Sequence, residues 1–414
     1  MRFIKIALIV LLLVSFASCK DAQEPETLGY VVAIGIDAPD DEEEGYNITI
    51  QFANPDKISG GSSESGGKGG SESIENITVL APGIYPAINI ANHIISKKFV
   101  LSHTKVIVFS DEIAKAGVKD FLEAINRNSD IRPNIYFAVS KGSAKEFLEA
   151  VDPKTEVNPV RYYTMIFEND YSGFIPQNMS QDFYLFYNSD EKSTVMPLCA
   201  VANPDKKNKF SEPGYQYKVD DYVAGEIPTS NSQIQIAGMA IFNRDTKIAE
   251  VGDIKTEIFN IITGEYQSSF VSYYFSKTPK TPVTVIQMQK KKPKISVDTR
   301  GKVPKIEIKI YLEGDLSSGK AEETLENEID SFSNEVSREI KRQAKDFFEE
   351  TKALGTDVIG FGSYAKRNFK TIKDFNEYNW KDAYKNAEID IEVEFSVRRT
   401  GLIVRSENKN WRRF

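Results

Sequence analysis

Apolar positions follow alternating strand and helix periods in the first part of the chain. The run LGYVVAIGID at 28–37 is almost wholly apolar, and YNITIQFANP at 46–55 alternates with a period of two, so both segments are predicted to be strands. Further on, short β-rich runs alternate with segments in which apolar residues recur every three or four positions. Helices are predicted at 83–98, at 111–128 with Asp111 as N-cap, and at 143–151. This alternation is typical of an α/β unit.

The pattern is weaker between 152 and 228, where Pro, Asn, Asp and Lys recur. We interpret this passage as loop-rich and as the end of the first unit. A new β-rich run at 233–243 begins a second unit. It is followed by a short helical segment at 256–265 and by a strand at 268–275.

The clearest pattern lies in the C-terminal part of the chain. Apolar residues recur every three or four positions at 322–354, which predicts a long amphipathic helix that ends at Gly355. Alternating runs at 292–316 and 388–401 predict strands. An antiparallel sheet covered by one long helix is therefore expected, which is an α+β arrangement.

A secretory signal precedes these elements. Arg2 and Lys5 give a positive start, a run at 6–16 follows that is apolar except for Ser15, and two small residues lead to Cys19. The arrangement resembles a bacterial lipoprotein signal, in which the cysteine receives diacylglycerol. Phe16 departs from that signal, because an aliphatic residue is commoner three positions before the cysteine.

Two other interpretations of this segment were weighed. A membrane-spanning helix needs about 20 apolar residues, and the run here is shorter and is followed at once by Lys20 and Asp21. The other alternative is an incidental cysteine beside an ordinary cleavage site. Lipidation is favoured, and it leaves Cys199 as the one remaining cysteine, so no disulfide is expected.

These patterns predict a mixed α/β and α+β fold in a three-domain, lipid-anchored ectodomain. The predicted parts are a signal peptide at 1–18, an N-terminal α/β domain at 19–200, a middle β-rich domain at 201–285 and a C-terminal α+β domain at 286–414. Within the first domain, the segment 59–73 contains only Gly, Ser, Glu and Lys. It is predicted to be a flexible linker, because glycine loses the most backbone entropy on ordering and nothing there is apolar.

Composition and charge change this picture little. The chain has 414 residues and a formal net charge of −8, which argues against nucleic acid as a partner. The acidic run at 40–44 lacks the ligand spacing of a calcium loop and is interpreted as a solvated turn. Gly67-Lys68 is followed by glycine rather than Ser or Thr, so a phosphate-binding loop is not indicated.

The chain offers few residues suited to catalysis. His93 and His103 are the two histidines, and no metalloprotease, serine hydrolase or nucleotide motif is present. A thiol pair of Cys199 with His103 has no supporting motif. The many carboxylates would allow a glycosidase pair, but no local pattern marks any two of them. We therefore predict no catalytic residue, no metal site and no cofactor other than the lipid on Cys19.

Several stretches, read in order, are similar to one family. They are YVVAIGID with YNITIQFANP and a glycine-rich insert, LSHTKVIVFSDEIAKAGVKDFLEAINRNSDIR, IYFAVSKGSAKEFLE, IAGMAIFNRDTKIAEV, and a terminal DVIGFG followed by a Trp and IDIEVEFSVRRTGLI. Together they resemble the Ger(x)C family of spore germination lipoproteins, the C subunits of nutrient germinant receptors. The resemblance covers nearly the whole mature chain and resides in the collinear series rather than in one motif.

The resemblance implies a three-domain, non-catalytic lipoprotein, anchored through Cys19 at the outer face of the spore inner membrane. It implies two integral-membrane partner subunits, one resembling an amino-acid transporter and one larger subunit with soluble domains. Together they would sense nutrients and trigger release of ions and dipicolinate. The family has no catalytic residues to carry over, and only the lipid-bearing cysteine maps by motif, onto Cys19.

Two surfaces are candidates for binding these partners. The first is the predicted helix at 111–128 with Arg127, Asp130 and Arg132, whose alternative role is an amphipathic cover on the sheet. The second is the turn around Phe361, which is expected to be exposed. Its phenylalanine would serve either as an interaction knob or as a staple between domains.

Two other functions also suit a tethered ectodomain. A solute-binding lipoprotein of a transporter is expected to have two similar lobes, and no repeated βα halves are found in the sequence. A cell-wall hydrolase would need a carboxylate pair in a groove. A ligand-induced shift in melting temperature would favour the first function, and activity on peptidoglycan would favour the second.

Overall fold

A computed structural model describes residues 3, 24, 27–40, 43–53, 74–153, 156, 158–168, 172–203, 222–229, 233–276, 282–301, 303–318 and 328–399. Cys19 and the predicted linker 59–73 lie outside these ranges. The described residues form a nine-stranded sheet, a four-stranded sheet and the helices that cover them. The predicted mixed α/β and α+β fold class is confirmed.

The larger sheet is built from β1 (Leu28–Asp37), β2 (Tyr46–Ala53), β3 (Ile74–Ala81), β4 (Lys98–Val100), β5 (Val106–Ser110), β6 (Tyr136–Ser140), β7 (Val195–Val201), β8 (Ile234–Asn243) and β9 (Thr246–Val251). Their spatial order is β3-β2-β1-β5-β6-β7-β8-β9, with β4 paired to β1. The central strands β1, β5, β6 and β7 are parallel, and β4 is parallel to β1. The flanking strands pair antiparallel with their neighbours.

Helices cover both faces of this sheet. They are α1 (Ile84–Ile94), α2 (Asp111–Ala116), α3 (Lys119–Arg127), α4 (Ala144–Glu149), α5 (Pro159–Phe167) and α6 (Ser180–Phe186). Ile107 and Phe109 of β5 pack into a core with α1, α2, α3 and α6. The alternate residues Val106 and Val108 pack into a second core with α4 and α5, because successive side chains of a strand point to opposite faces.

The predicted single helix at 111–128 is two helices. Gly117 separates α2 from α3 with a φ of +121°, a backbone conformation that residues with a Cβ rarely adopt. The N-cap of α2 is Ser110, whose Oγ accepts the N–H of Ile113 at 3.3 Å. The expectation that Asp111 caps the helix is therefore wrong by one residue.

The passage 152–228 contains more regular structure than the sequence pattern indicated. It includes α5, α6 and β7, and β7 is a central strand between β6 and β8. All residues of β7 except its last are buried. A strand that is buried on both faces shows no alternation, and Pro197 also lowers its strand signal. Periodicity therefore could not reveal it.

The smaller sheet is built from β10 (Ser268–Tyr273), β11 (Val283–Asp298), β12 (Lys305–Ser318) and β13 (Glu388–Arg399), in that spatial order. β10, β11 and β12 are antiparallel, as predicted. β13 is parallel to β12, so the sheet is mixed rather than wholly antiparallel. The helices between β12 and β13 carry the chain back to the end of the sheet at which β12 begins.

Five helices accompany the smaller sheet: α7 (Asp253–Thr263), α8 (Ile329–Leu354), α9 (Phe361–Lys366), α10 (Ile372–Tyr378) and α11 (Trp380–Tyr384). The described part of the predicted long helix is α8, which buries the apolar stripe found in the sequence. Gly355 ends α8 with a φ of +66°, which confirms the predicted C-cap.

The two sheets share one apolar core. Met239 and Ile241 of β8 belong to the same buried cluster as α7, α8 and the strands of the smaller sheet. The strands within 201–285 are divided between the sheets, since β8 and β9 extend the larger one and β10 joins the smaller one. The described residues of 201–285 therefore form no separate sheet. The backbone of β8 pairs with β7, and the backbone of β10 pairs with β11.

Candidate functional site

The predicted lipidation site, Cys19, lies outside the described residues. No helix in the described ranges is both long enough and apolar enough to span a membrane. The lipid on Cys19 thus stays a prediction from the signal sequence.

The predicted surface at the end of α3 is exposed. Arg127 is the last residue of α3, and its guanidinium lies 3.4 Å from the carboxylate of Glu123. Asp130 and Arg132 follow in the loop that leads to β6, and both are exposed. Asp130 also lies near Tyr85 of α1, whose pKa is raised to about 12 by burial and by this carboxylate. The predicted charged residues therefore lie on an accessible surface.

Arg132 forms part of a positively charged group at the start of the central strands. The pKa of His103 is lowered by its burial and, in addition, by the charges of Arg132 and Lys105. The imidazole packs edge-on against Tyr30, with ring centroids 5.0 Å apart. His103 is thus a neutral packing residue. Among the described residues, no group of three or more His, Cys, Asp or Glu is placed to hold a metal ion.

The second cysteine, Cys199, is fully buried in β7. Burial raises the pKa of its thiol, and the thiol contacts the Val139 carbonyl oxygen at 3.5 Å. Because the thiolate is the reactive form of cysteine, this environment makes Cys199 unreactive. It packs as a small apolar side chain.

Phe361 is fully buried, so the expectation that it is exposed is wrong. It is the first residue of α9, and its ring lies 5.6 Å from that of Phe348 and 6.3 Å from that of Tyr384. Because α9 begins immediately after the turn, its first side chain points into the core of the smaller sheet. Phe361 is therefore a packing residue, which is the alternative that the sequence left open.

The buried carboxylate of Asp357 organises the turn before α9. Its Oδ1 accepts the N–H of Gly360 at 2.8 Å, and its Oδ2 accepts the N–H of Gly362 at 2.8 Å. The indole N–H of Trp380 also donates to Oδ2, at 3.0 Å. Burial raises the pKa of Asp357, and these donors partly offset the rise. The DVIGFG stretch and the later Trp thus form one hydrogen-bonded unit.

This unit contacts the segment that precedes β7 in the larger sheet. The N–H of Ser193 donates to the Asp357 carbonyl oxygen at 2.7 Å, and the carboxylate of Glu191 accepts from Lys366 at 2.5 Å. A Cβ at Gly362 would lie 2.7 Å from the Cα of Glu191. We call these five residues (Glu191, Ser193, Asp357, Gly362 and Lys366) the inter-sheet junction.

A second buried polar cluster joins α7 to the smaller sheet. The Oε1 of Glu257 accepts from the Ser269 hydroxyl at 2.8 Å and from the Gln287 amide at 3.1 Å. The hydroxyl of Tyr266 lies 2.7 Å from that of Ser269. Burial raises the pKa of Glu257, and its hydrogen-bonding neighbours are uncharged. All four side chains are almost wholly buried, so the cluster is closed off from solvent.

A third cluster lies between α2 and β9. The ammonium of Lys247 binds both Asp111 and Glu250, and only 3% of its side chain is exposed. Lys115 binds Asp111 at 2.6 Å, and Lys141 binds Glu250 at 3.2 Å. Although burial opposes the charged forms, the lysines lower the pKa values of Asp111 and Glu250. Each charged group in this cluster is paired with an opposite charge, so we interpret the cluster as one that stabilises the fold.

Sequence reasoning missed the residues at the centre of these three clusters. Asp357 had a usable signal, because it directly precedes the glycine-containing turn that was singled out. Glu257 lies within a predicted helix and Lys247 just after the β-rich run at 233–243, and neither differs in pattern from an exposed charged residue. Only the packing of distant segments buries them.

Two family models match this chain. The model described as "Spore germination protein N-terminal domain" matches residues 21–201. The model described as "Spore germination B3/ GerAC like, C-terminal" matches residues 237–401, so the two together cover most of the chain. The chain belongs to the Ger(x)C family of spore germination proteins. The resemblance found in the sequence is confirmed.

Individual relatives extend along most of this Ger(x)C chain. It is 24% identical to "Spore germination protein KC" of Bacillus subtilis (strain 168), over 96% of both chains. It is 19% identical to "Spore germination protein GerQC" of Bacillus cereus, over 73% of this chain and 76% of the relative. The crystal structure of the GerBC protein superposes with a TM-score of 0.51 at 14% identity, covering 90% of this chain and 99% of that one. The fold is therefore shared, and a germination-related role follows from the family.

Proposed function

We propose that this chain is the lipid-anchored, non-enzymatic subunit of a spore nutrient germinant receptor. The observation that carries the proposal is the collinear match of both halves to germination families, behind a signal that leads to Cys19. The protein is held by lipid on Cys19 at the outer face of the spore inner membrane. There it assembles with two integral-membrane subunits and is needed for nutrient-triggered germination.

The described side chains suit binding better than catalysis. The buried acids Asp357 and Glu257 are already occupied by hydrogen-bond donors, and the Cys199 thiol is buried. Catalytic acids and nucleophiles need access to a substrate. In contrast, the loop with Asp130 and Arg132 is exposed and charged, which suits contact with a partner subunit.

Nutrient-triggered dipicolinate release from spores tests the proposal. Three strains are compared in a background that lacks other nutrient receptors: wild type, Cys19→Ala and a strain without the gene. Spores without the gene are expected to give no release. Cys19→Ala is expected to impair release, because a domain without acyl chains loses most of its membrane affinity.

The second cysteine provides a matched control. Cys199→Ala removes the other thiol of the chain but leaves the lipid site intact, so its spores are expected to respond as wild type does. Sporulation yield and the amount of protein in the spore membrane are measured in parallel. Equal release from all strains, for every nutrient tried, would contradict the proposal.

A further inference from the structure

The amino-terminal ends of four parallel strands meet at one edge of the larger sheet. Leu28 at the start of β1 pairs with Lys98 at the start of β4. β5 and β6 run in the same direction, so Lys105, just before β5, and Arg132, shortly before β6, lie toward the same edge. We call this region, with Ile94 at the end of α1, the amino edge.

The amino edge carries basic side chains. Lys98 and Arg132 are exposed. The pKa of His103 is lowered first by its burial and then by the nearby charges of Arg132 and Lys105, so both cations lie near this side chain at the edge. Three described acids lie nearby: Glu24 just before β1, Asp130 in the same loop as Arg132, and Glu75 near the start of β3. They reduce the positive charge of the edge, whereas the chain as a whole is negative.

An exposed apolar side chain stands beside these charges. Ile94 is the last residue of α1, and 64% of its surface is exposed. The end of α1 is fixed against β4, because the side chain of Asn92 accepts the N–H of Phe99 at 2.9 Å. Ile94 is therefore held near Lys98. Apolar residues flanked by lysine or arginine are typical of surfaces that lie at the interface of a bilayer.

The segment that connects the predicted lipid site, Cys19, to the larger sheet ends at the amino edge. Eight residues separate Cys19 from Leu28. A chain of this length spans at most about 30 Å even when fully extended. If Cys19 carries lipid, as the proposed function holds, the start of β1 cannot move farther than this from the membrane. The amino edge is thus the part of the larger sheet that the covalent chain keeps nearest to lipid headgroups.

We propose that the amino edge is a second membrane contact, which binds anionic lipid headgroups and orients the ectodomain on the bilayer. Lys98 and Arg132 supply the electrostatic attraction, and Ile94 enters the headgroup region. This inference rests on the proposed function for its location, but the binding itself does not require lipid on Cys19. A tether alone limits distance and leaves orientation free, whereas two contacts fix which face is turned to neighbouring membrane subunits.

Sedimentation with vesicles tests the contact separately from the lipid. The mature chain from position 19 onward is made with Cys19→Ser, so that it carries no acyl group. It is mixed with vesicles of phosphatidylcholine alone or of phosphatidylcholine with phosphatidylglycerol. Binding is expected only to the anionic vesicles and is expected to weaken as salt is raised, because salt screens the attraction.

Charge reversal locates the contact. Lys98→Glu with Arg132→Glu is expected to weaken binding to anionic vesicles at least about tenfold. Lys145→Glu with Lys373→Glu changes the net charge equally at exposed lysines away from the amino edge, and it is expected to weaken binding much less. Ile94→Ser keeps every charge and is expected to weaken binding to a smaller extent. Circular dichroism and thermal melting confirm that each variant is folded.

Three results would overturn the inference: no binding to anionic vesicles, equal binding to both vesicle types, or equal loss in the two double variants. The last result would mean that overall charge, not the amino edge, determines binding. These outcomes are distinct from a failure of the proposed function. The vesicle assay contains no lipidated protein, whereas the germination assay reports on the lipid at Cys19.

Discussion

At the scale of single residues, two buried carboxylates illustrate how differently one chemical group can be accommodated. Asp357 accepts three N–H groups, whereas Glu257 accepts one hydroxyl and one amide. A buried carboxylate without charged partners favours its neutral form, unless enough donors compensate for lost water. Burial raises the pKa of both residues, so both favour the protonated form in the folded chain, although Asp357 has more donors to offset the rise.

We expect Glu257 to make the stability of the protein depend on pH. Because the folded-state pKa of Glu257 is raised, the folded chain keeps this proton at pH values where the unfolded chain has released it. The contribution to the free energy of unfolding is thus greatest below about pH 4.3, the ordinary pKa of glutamate, and is lost as pH rises through the folded-state pKa. Glu257→Gln is expected to show a smaller decline than the wild type in chemical denaturation series between about pH 4 and pH 8, because the raised pKa of Asp357 still acts in the same direction.

The control for this experiment is Glu377→Gln, on the exposed surface of α10. Its stability is expected to change with pH as the wild type does. If Glu257→Gln and the wild type show parallel pH profiles, the buried proton is not responsible.

Asp357→Ala is expected to destabilise the protein by about 3 kcal/mol or more. The substitution leaves three buried N–H donors without their acceptor, and each unsatisfied buried group costs about 1–3 kcal/mol. Asp357→Asn retains one carbonyl oxygen and should lose less. The measurement is the free energy of unfolding from chemical denaturation.

Asp346→Ala, which removes an exposed carboxylate from α8, serves as the comparison. It should cost at most about 1 kcal/mol, since exposed ion pairs contribute little. Similar losses at positions 346 and 357 would show that the hydrogen bonds of the buried turn are not what stabilises it.

At the scale of elements, α8 shows how a pattern becomes a buried face. Its apolar residues recur every three or four positions, and those that are buried meet β12, β13 and α7 in one core. Its other faces carry charged residues, among them Arg342 between Glu339 and Asp346. The helix therefore derives its stability mainly from tertiary contacts along one stripe.

Ile340→Ala is expected to reduce the free energy of unfolding by about 2–5 kcal/mol. Ile340 is 1% exposed near the middle of the buried stripe, so the change removes apolar contacts and leaves a cavity. Lys345→Ala on the exposed face of the same helix should change the free energy by less than about 0.5 kcal/mol. An equal effect of the two changes would contradict the assignment of the stripe.

At the scale of the whole molecule, the two sheets behave as one packed body in the described residues. The apolar core continues from β8 into the smaller sheet, and the inter-sheet junction ties α9 to the segment before β7. Strands from one stretch of sequence, 201–285, contribute to both sheets. A change at the junction is therefore expected to affect the whole molecule rather than one half.

Gly362→Ala is expected to destabilise the protein by about 1–3 kcal/mol. Alanine is ordinarily the better helix former, but here its Cβ would overlap the backbone of Glu191, which cannot rotate away as a side chain can. Thermal melting and limited proteolysis measure the effect, and faster cleavage between the sheets is expected. Gly142→Ala is the matched control, because no atom lies within 4 Å of the added Cβ.

If Gly362→Ala melts at or above the temperature of the wild type, the close contact between α9 and the segment before β7 is not maintained in solution. If Gly142→Ala is destabilised as strongly, the effect reflects loss of glycine in general rather than the junction.

The sequence by itself determined the elements whose signals are local. The almost wholly apolar run of β1, the alternation in β2 and β12, the stripe of α8 and the stop at Gly355 are readable from the local sequence alone. The family could also be recognised from the order of such segments. The charged residues Arg127, Asp130 and Arg132 lie on an exposed surface, and their role in binding a partner stays a prediction.

Tertiary structure alone decided the rest. Whether Phe361 is exposed depends on α8 and α11, which pack over it, and the burial of Asp357 depends on Trp380. β7 has no alternation because neighbours cover both of its faces, and β13 is parallel because of the path of the helices before it. In each case the cause is a contact between segments far apart in the chain. The local sequence pattern predicts the burial of a residue only when that burial depends on the residue's own helix or strand. In these cases burial or strand direction depends on segments far away in the chain.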